Sequence, residues 1–252
     1  MESIKSIILF GLFLQTALFA FCQNYPDLSD NILVCKEGAL PYYVSCADGI
    51  CTEKSLYPNG RIKLKGKCTS TGKAEVWTAF YNDGNIIISE GIVKDGLLYG
   101  KWIFNYKNGN KKAEGEFSIG QFELGCAGSG NFKSASIMIG KWTFWNENGS
   151  KNIECHFSPN SHREEILNGK YIKWHANGQK KEEGIYYKGM KNGIWTYWHE
   201  NGQKQREEYY TYKDCGLFEY TWHECPAGTW SYWNKDGSIL KTEKYIEGVK
   251  TE

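Results

Sequence analysis

Hydrophobic and polar positions alternate in short runs along most of the chain, and the runs are separated by Asn-Gly or Asp-Gly pairs. From Gly140 to Trp145, Trp142 and Phe144 fall on one side of an extended strand, with Thr143 and Trp145 on the other. After Asn148 and Gly149 a second run begins, carrying Lys151 and Glu154, and it closes on Phe157. The pattern recurs as Trp77 with Gly84, Trp102 with Gly109, Trp142 with Gly149, Tyr171 with Gly178, Trp195 with Gly202 and Trp230 with Gly237. In each pair the glycine stands seven residues after the ring. Each pair predicts a β-hairpin closed by a type I′ turn, in which Asn-Gly or Asp-Gly supplies the positive φ angles.

Repetition of one unit predicts an array, because a single hairpin buries too little apolar surface to offset its ordering entropy and must stack on neighbours. The fold class that follows is all-β: an elongated, twisted antiparallel sheet built from stacked β-hairpin repeats. Gly100, Gly140, Gly169, Gly193 and Gly228 stand two residues before the leading ring, where the chain must turn from one hairpin into the next. Eight residues past the turn glycine come Ile92, Phe117, Phe157, Tyr186, Tyr210 and Tyr245, expected to pack over the leading rings. Glu114, Glu154, Glu183 and Glu207 fall five residues past it, with lysines just before, and read as cross-strand charge pairs.

Residues 72–252 hold six such units, with insertions near 121–139 and 211–227 that are expected to form surface loops. Residues 23–71 are less regular. Their Tyr57-Pro58-Asn59-Gly60 reads as a decayed repeat within a cysteine-containing cap.

Residues 1–22 read as a signal peptide, with Lys5 ahead of an apolar run from Ile7 to Phe21. The expectation is an exported protein, periplasmic, at the cell surface or secreted. The run is shorter than the roughly 20 residues of a membrane span, and no second apolar segment follows. Cleavage is expected after Cys22. A lipid anchor on Cys22 would need a small residue before it, where Phe21 stands. The remaining cysteines, Cys35, Cys46, Cys51, Cys68, Cys126, Cys155, Cys215 and Cys225, are even in number and read as disulfide candidates of open connectivity, Cys215 with Cys225 being the most local pairing. A net charge of +1 gives no electrostatic footprint for nucleic acid.

The units at 140–149 and 193–202 resemble the MORN-repeat variant of bacterial YwqK-type antitoxin-like proteins, over roughly Trp77 to Gly248. The resemblance implies a hairpin array that mediates protein contacts, with no catalytic residues to carry over.

For chemistry, the leading rings are assigned to packing. Trp145, Trp174, Trp198 and Trp233 form a second ladder on the opposite face and are the binding candidates. Neither His223 with Cys225 and Cys215, nor Cys155 with His156 and His162, has paired zinc spacing, so no metal or cofactor is expected. His175 and His199 read as solvated strand residues. No catalytic motif is present, and the repeated glutamates come with matching lysines. The expected function is a non-enzymatic exported scaffold for a protein partner. A carbohydrate-binding module using the second ladder is the main alternative, and an antitoxin or immunity-type neutralising protein the second.

Overall fold

The computed structural model describes residues 43–47, 50–69, 75–81, 86–94, 97–123, 132–159, 165–213 and 223–251. The expected signal segment, Cys22, Cys35, Gly84, Cys126, His162 and Cys215 lie outside them. The described strands begin with β1 (Tyr43–Ala47), β2 (Ile50–Leu56), β3 (Ile62–Thr69), β4 (Glu75–Phe80) and β5 (Ile87–Lys94). The middle of the chain forms β6 (Leu97–Asn105), β7 (Lys111–Glu123), β8 (Phe132–Trp145), β9 (Lys151–Pro159), β10 (Glu165–Leu167) and β11 (Gly169–Trp174). The array ends with β12 (Lys180–Tyr187), β13 (Met190–Trp198), β14 (Lys204–Lys213), β15 (His223–Trp233), β16 (Ile239–Ile246) and β17 (Val249–Lys250).

All belong to one twisted, open antiparallel sheet, as the hairpin periodicity requires. Successive strands pair in sequence order, through β5 with β6, β7 with β8 and β15 with β16 among others. The short β10 and its continuation β11 both lie against β9. At about 4.8 Å per strand, this many strands extend roughly 75 Å along the hydrogen-bonding direction. The decayed repeat is a full hairpin between β2 and β3, and β3 pairs onward with β4, so the cap continues the same sheet.

The Asn-Gly turns are not type I′. At Gly109, the amide donates to the Tyr106 carbonyl at 2.9 Å while the Tyr106 amide donates to the Asn110 carbonyl at 2.8 Å. Gly109 has φ 87°, whereas Asn108 is outside the left-handed region. This is a type I turn closed by a left-handed bulge glycine, a three-residue loop whose extra residue appears as the register shift between Phe104 and Asn105. The same hydrogen bonds recur at Gly60, Gly149, Gly178, Gly202 and Gly237. Type I′ turns do occur, but between hairpins, at Lys188-Gly189 (φ 50° and 83°) and Glu247-Gly248 (φ 52° and 83°).

The core is a file of rings on one face. Trp102, Trp142, Trp195, Phe104 and Phe144 are fully buried. Around Trp142, Phe117 meets the indole edge-on at 5.0 Å and Phe144 stacks at 5.8 Å. Tyr186 meets Trp195 edge-on at 4.8 Å. Phe117, Tyr186, Tyr210 and Tyr245 therefore pack on leading rings as the pattern predicts, whereas Ile92 falls one residue short and Val93 takes the core position of its unit. Beneath three of the leading Trp rings lies a strand glycine that the Trp-to-Gly spacing does not reveal, six or seven residues past a turn glycine: Gly91 under Trp102, Gly115 under Trp142 and Gly184 under Trp195. The indole Nε1 of each then donates to the next carbonyl, Ile92 at 3.0 Å, Glu116 at 3.2 Å and Ile185 at 3.2 Å.

Both insertions lengthen strands instead of forming loops over their described residues. β7 and β8 stay in register out to Glu123 and Phe132, and β14 and β15 out to Lys213 and His223. Apolar residues at alternate positions, such as Phe117 and Ile119 opposite Met138 and Ser136, let the ladder run on past the basic unit.

Candidate interaction face

Since the leading rings take one face, the residues between them are presented on the other. Trp145, Trp174, Trp198 and Trp233 stand there half-buried. Each lies under a lysine from the preceding hairpin. Lys111 is 5.4 Å from the Trp145 ring centre, Lys151 5.4 Å from Trp174, Lys180 5.6 Å from Trp198 and Lys204 5.5 Å from Trp233. The same lysines pair with Glu114, Glu154, Glu183 and Glu207 on their own strands, Lys111 with Glu114 at 2.7 Å and Lys204 with Glu207 at 2.7 Å. The unit of this face is a Trp–Lys–Glu rung, repeated in four successive hairpins.

Two rungs carry a second lysine across the strand pair: Lys141 reaches Glu154 at 3.0 Å and Lys170 reaches Glu183 at 3.0 Å. The expected cross-strand pairing holds at these two positions, while the others pair along one strand across the turn bulge. Partial burial works against the charge on Glu154, but hydrogen bonds and charge from Lys141 and Lys151 outweigh it and hold the carboxyl below its ordinary range. Glu183 is lowered in the same way, by Lys180 and Lys170 acting against burial. Carboxylates held ionised by two ammonium groups are poor proton donors, which argues against using them as paired acids.

One row of the face departs from the repeat. The position just before the leading ring is Lys101, Lys141 and Lys170 in three units, Val76 in the first, Thr229 in the last and Ile194 in the fifth. The position whose carbonyl takes the indole bond is Ile92, Glu116, Ile185 and Tyr209 in the units that show that bond, with His156 at the matching place after Gly149. Ile194 faces Tyr209 directly in register, and Lys170 faces Ile185. Ile185, Ile194 and Tyr209 are 52%, 58% and 40% exposed, so core packing does not require their apolar character.

The turn ends are tied to one another. His175 Nε2 donates to the Trp198 carbonyl at 2.8 Å and His199 Nε2 to the Trp233 carbonyl at 3.1 Å. Tyr106 does the same with its hydroxyl to the Trp145 carbonyl at 2.8 Å. These histidines are therefore staples between hairpins and not simply solvated residues. A carbonyl can only accept, which fixes the proton on Nε2. Asn177 and Asn201 add side-chain amide bonds to the Glu200 and Lys235 carbonyls, both 2.7 Å. A shallow depression of about 300 Å³ beside Trp198 is lined by His175, His199 and Arg206.

Cys155 is fully buried and keeps its thiol, which removes it from the disulfide candidates. It stands opposite Trp142 in register, on the inward face. One step from the Ile172–Glu154 pair it also meets Tyr171, and so takes the slot that Gly115 and Gly184 hold in their units. A smaller leading ring, Tyr171, goes with the larger residue. His156, next in the strand, points the other way and bonds the Lys170 carbonyl at 3.2 Å, so Cys155 and His156 cannot share a ligand. Cys225 is buried in β15, and its expected partner Cys215 is outside the described residues. In the cap, the backbone register sets Cys51 opposite both Cys46 and Cys68. Of the leading rings, Trp77 is described only by its backbone, in β4, and Trp230 is half-buried, with its Nε1 donating to the Tyr209 carbonyl at 3.1 Å. Glu208 occupies the glycine slot beneath Trp230, paired with Arg206 at 3.0 Å and accepting from the Tyr210 hydroxyl at 3.0 Å.

No curated protein matches the chain. A family model, the MORN repeat variant, matches residues 167–188 and 191–212, two segments that meet at the type I′ turn of Lys188 and Gly189.

Proposed function

From a chain whose units at 167–188 and 191–212 are MORN-variant repeats, we propose an exported, non-enzymatic scaffold that binds a protein partner across the outward Trp–Lys–Glu rungs. The observation that carries the reading is the rung itself, four times repeated on a face whose packing demands are already met by the opposite side. Trp is among the residues enriched at the centres of protein-binding surfaces. A sugar ring stacking on Trp174 or Trp198 would first have to displace Lys151 or Lys180 from above the indole, which sets the carbohydrate alternative second. Export rests on the apolar segment from Ile7 to Phe21, and the cysteines of the cap are proposed to form disulfides in the exported protein.

The test is affinity capture from an envelope fraction, with the wild-type chain beside a Trp174→Ala, Trp198→Ala double variant whose fold is checked by circular dichroism. A specific protein held by the wild type and lost by the variant is the expected result. Equal capture by both, or saturable tryptophan quenching by neutral polysaccharides, would overturn the reading.

A further inference from the structure

The apolar break in the outward face singles out one place on it. Ile194 faces Tyr209 across β13 and β14, Ile185 on β12 faces Asn192 two residues before Ile194, and all three apolar side chains are well exposed. Two other units hold polar or charged residues at these positions, Lys101 with Glu116 and Lys141 with His156, while the first unit pairs Val76 with Ile92 there. Burial does not account for the apolar side chains of Ile185, Ile194 and Tyr209, which stand well exposed. The patch measures on the order of 300 Å², a size characteristic of a functional spot, and falls short of the roughly 800 Å² per partner that a stable dimer requires. That argues against a second copy of this chain and for a slender partner.

The rim states its charge. Lys170 stands opposite Ile185 and shares Glu183 with Lys180, while Lys204 flanks the other side and pairs with Glu207. Three lysines against two glutamates leave a positive excess beside the apolar centre. Lys170 and Lys180 already hold one carboxylate between them, a geometry that an incoming carboxylate can join.

We propose that this patch receives an extended acidic segment of the partner protein, which seats one aliphatic or aromatic side chain between Ile185, Ile194 and Tyr209 and lays carboxylates against Lys170 and Lys180. The proposal rests on the scaffold reading above and names the chemistry of its partner. The apolar anchor supplies affinity by desolvation, and the lysine rim selects for acid and fixes orientation.

The experiment pans a displayed library of linear random peptides on the full chain. Ile194→Lys restores the residue found at that position in three other units, so the fold is expected to tolerate it. Selected peptides should carry an aliphatic or aromatic residue flanked by Asp or Glu. They should lose about tenfold in affinity on Ile194→Lys, and again on Lys170→Glu. No enrichment, peptides without acidic residues, equal binding to Ile194→Lys, or a concentration-dependent dimer abolished by that substitution would each overturn the proposal. A partner captured through Trp174 and Trp198 yet indifferent to Ile194→Lys would leave the scaffold reading standing and this one refuted. Acidic peptides that bind the patch with no captured protein would do the reverse.

Discussion

The indole of Trp142 covers Gly115 so closely that a methyl group on that glycine would clash with the ring carbons. Trp102 stands in the same relation to Gly91 and Trp195 to Gly184. The contact joins one hairpin to the next, and the Nε1 bond to the following carbonyl locks it.

Gly115→Ala is expected to destabilise the protein by about 1–3 kcal/mol, because the ring must leave a filled core to make room. Gly109→Ala provides the contrast. Nothing lies near its added carbon, and the cost is backbone strain at φ 87°, about 1–2 kcal/mol. Urea unfolding followed by tryptophan fluorescence separates them: Gly115→Ala should also shift the native emission spectrum, while Gly109→Ala should change only the midpoint.

The hairpins and both aromatic ladders were legible because each lies within one unit, where a fixed spacing between Trp and Gly exposes them. Gly91, Gly115 and Gly184 were not, since their partner is a ring in the next hairpin and a glycine in a strand carries no pattern of its own. The turn type at Asn108 and Gly109 is ambiguous in sequence because Asn-Gly serves both a type I′ turn and a type I turn with a bulge glycine; the extra loop residue, Lys107, decides between them. His175 hid its role in a bond to the main chain of another unit. The patch of Ile185, Ile194 and Tyr209 carries no sequence signal of its own, since Val76 and Ile92 hold the same positions in the first unit, and only exposure distinguishes it from core.

Cys155 and Tyr171 fill one slot together, so they should be coupled. Tyr171→Trp alone overfills the site above Cys155, and Cys155→Gly alone leaves a void beneath Tyr171. The double variant recreates the Gly115–Trp142 arrangement. A double-mutant cycle in urea should give a coupling of about 1–3 kcal/mol in favour of the pair, and additive losses would refute the substitution logic.

Acid should loosen the rungs. Glu183 has a folded-state pKa below its unfolded value of about 4.3. Its contribution is therefore present in full above that unfolded value and is lost as pH falls through the lowered folded value. Thermal midpoints from about pH 7 to about pH 2 should fall less steeply for Glu183→Gln than for the wild type, and the two curves should meet at the acid end. Parallel curves would mean that the Lys170 and Lys180 pairs add nothing. Added salt should shrink the difference at neutral pH, because both lysines are about half exposed.

His175 offers a substitution test supplied by the chain itself. Its Nε2 bond to the Trp198 carbonyl occupies the place where Tyr106 donates its hydroxyl to the Trp145 carbonyl one pair of hairpins earlier. His175→Tyr should thus keep the staple and leave the urea midpoint near the wild-type value. His175→Phe retains an aromatic ring but cannot donate, which leaves the Trp198 carbonyl short of a partner at a cost of about 1 kcal/mol. His175→Tyr and His175→Phe differ only in the donor, so the difference between their midpoints reads the hydrogen bond itself. An equal loss in both variants would show that the imidazole ring, and not its bond to the Trp198 carbonyl, holds the hairpins together.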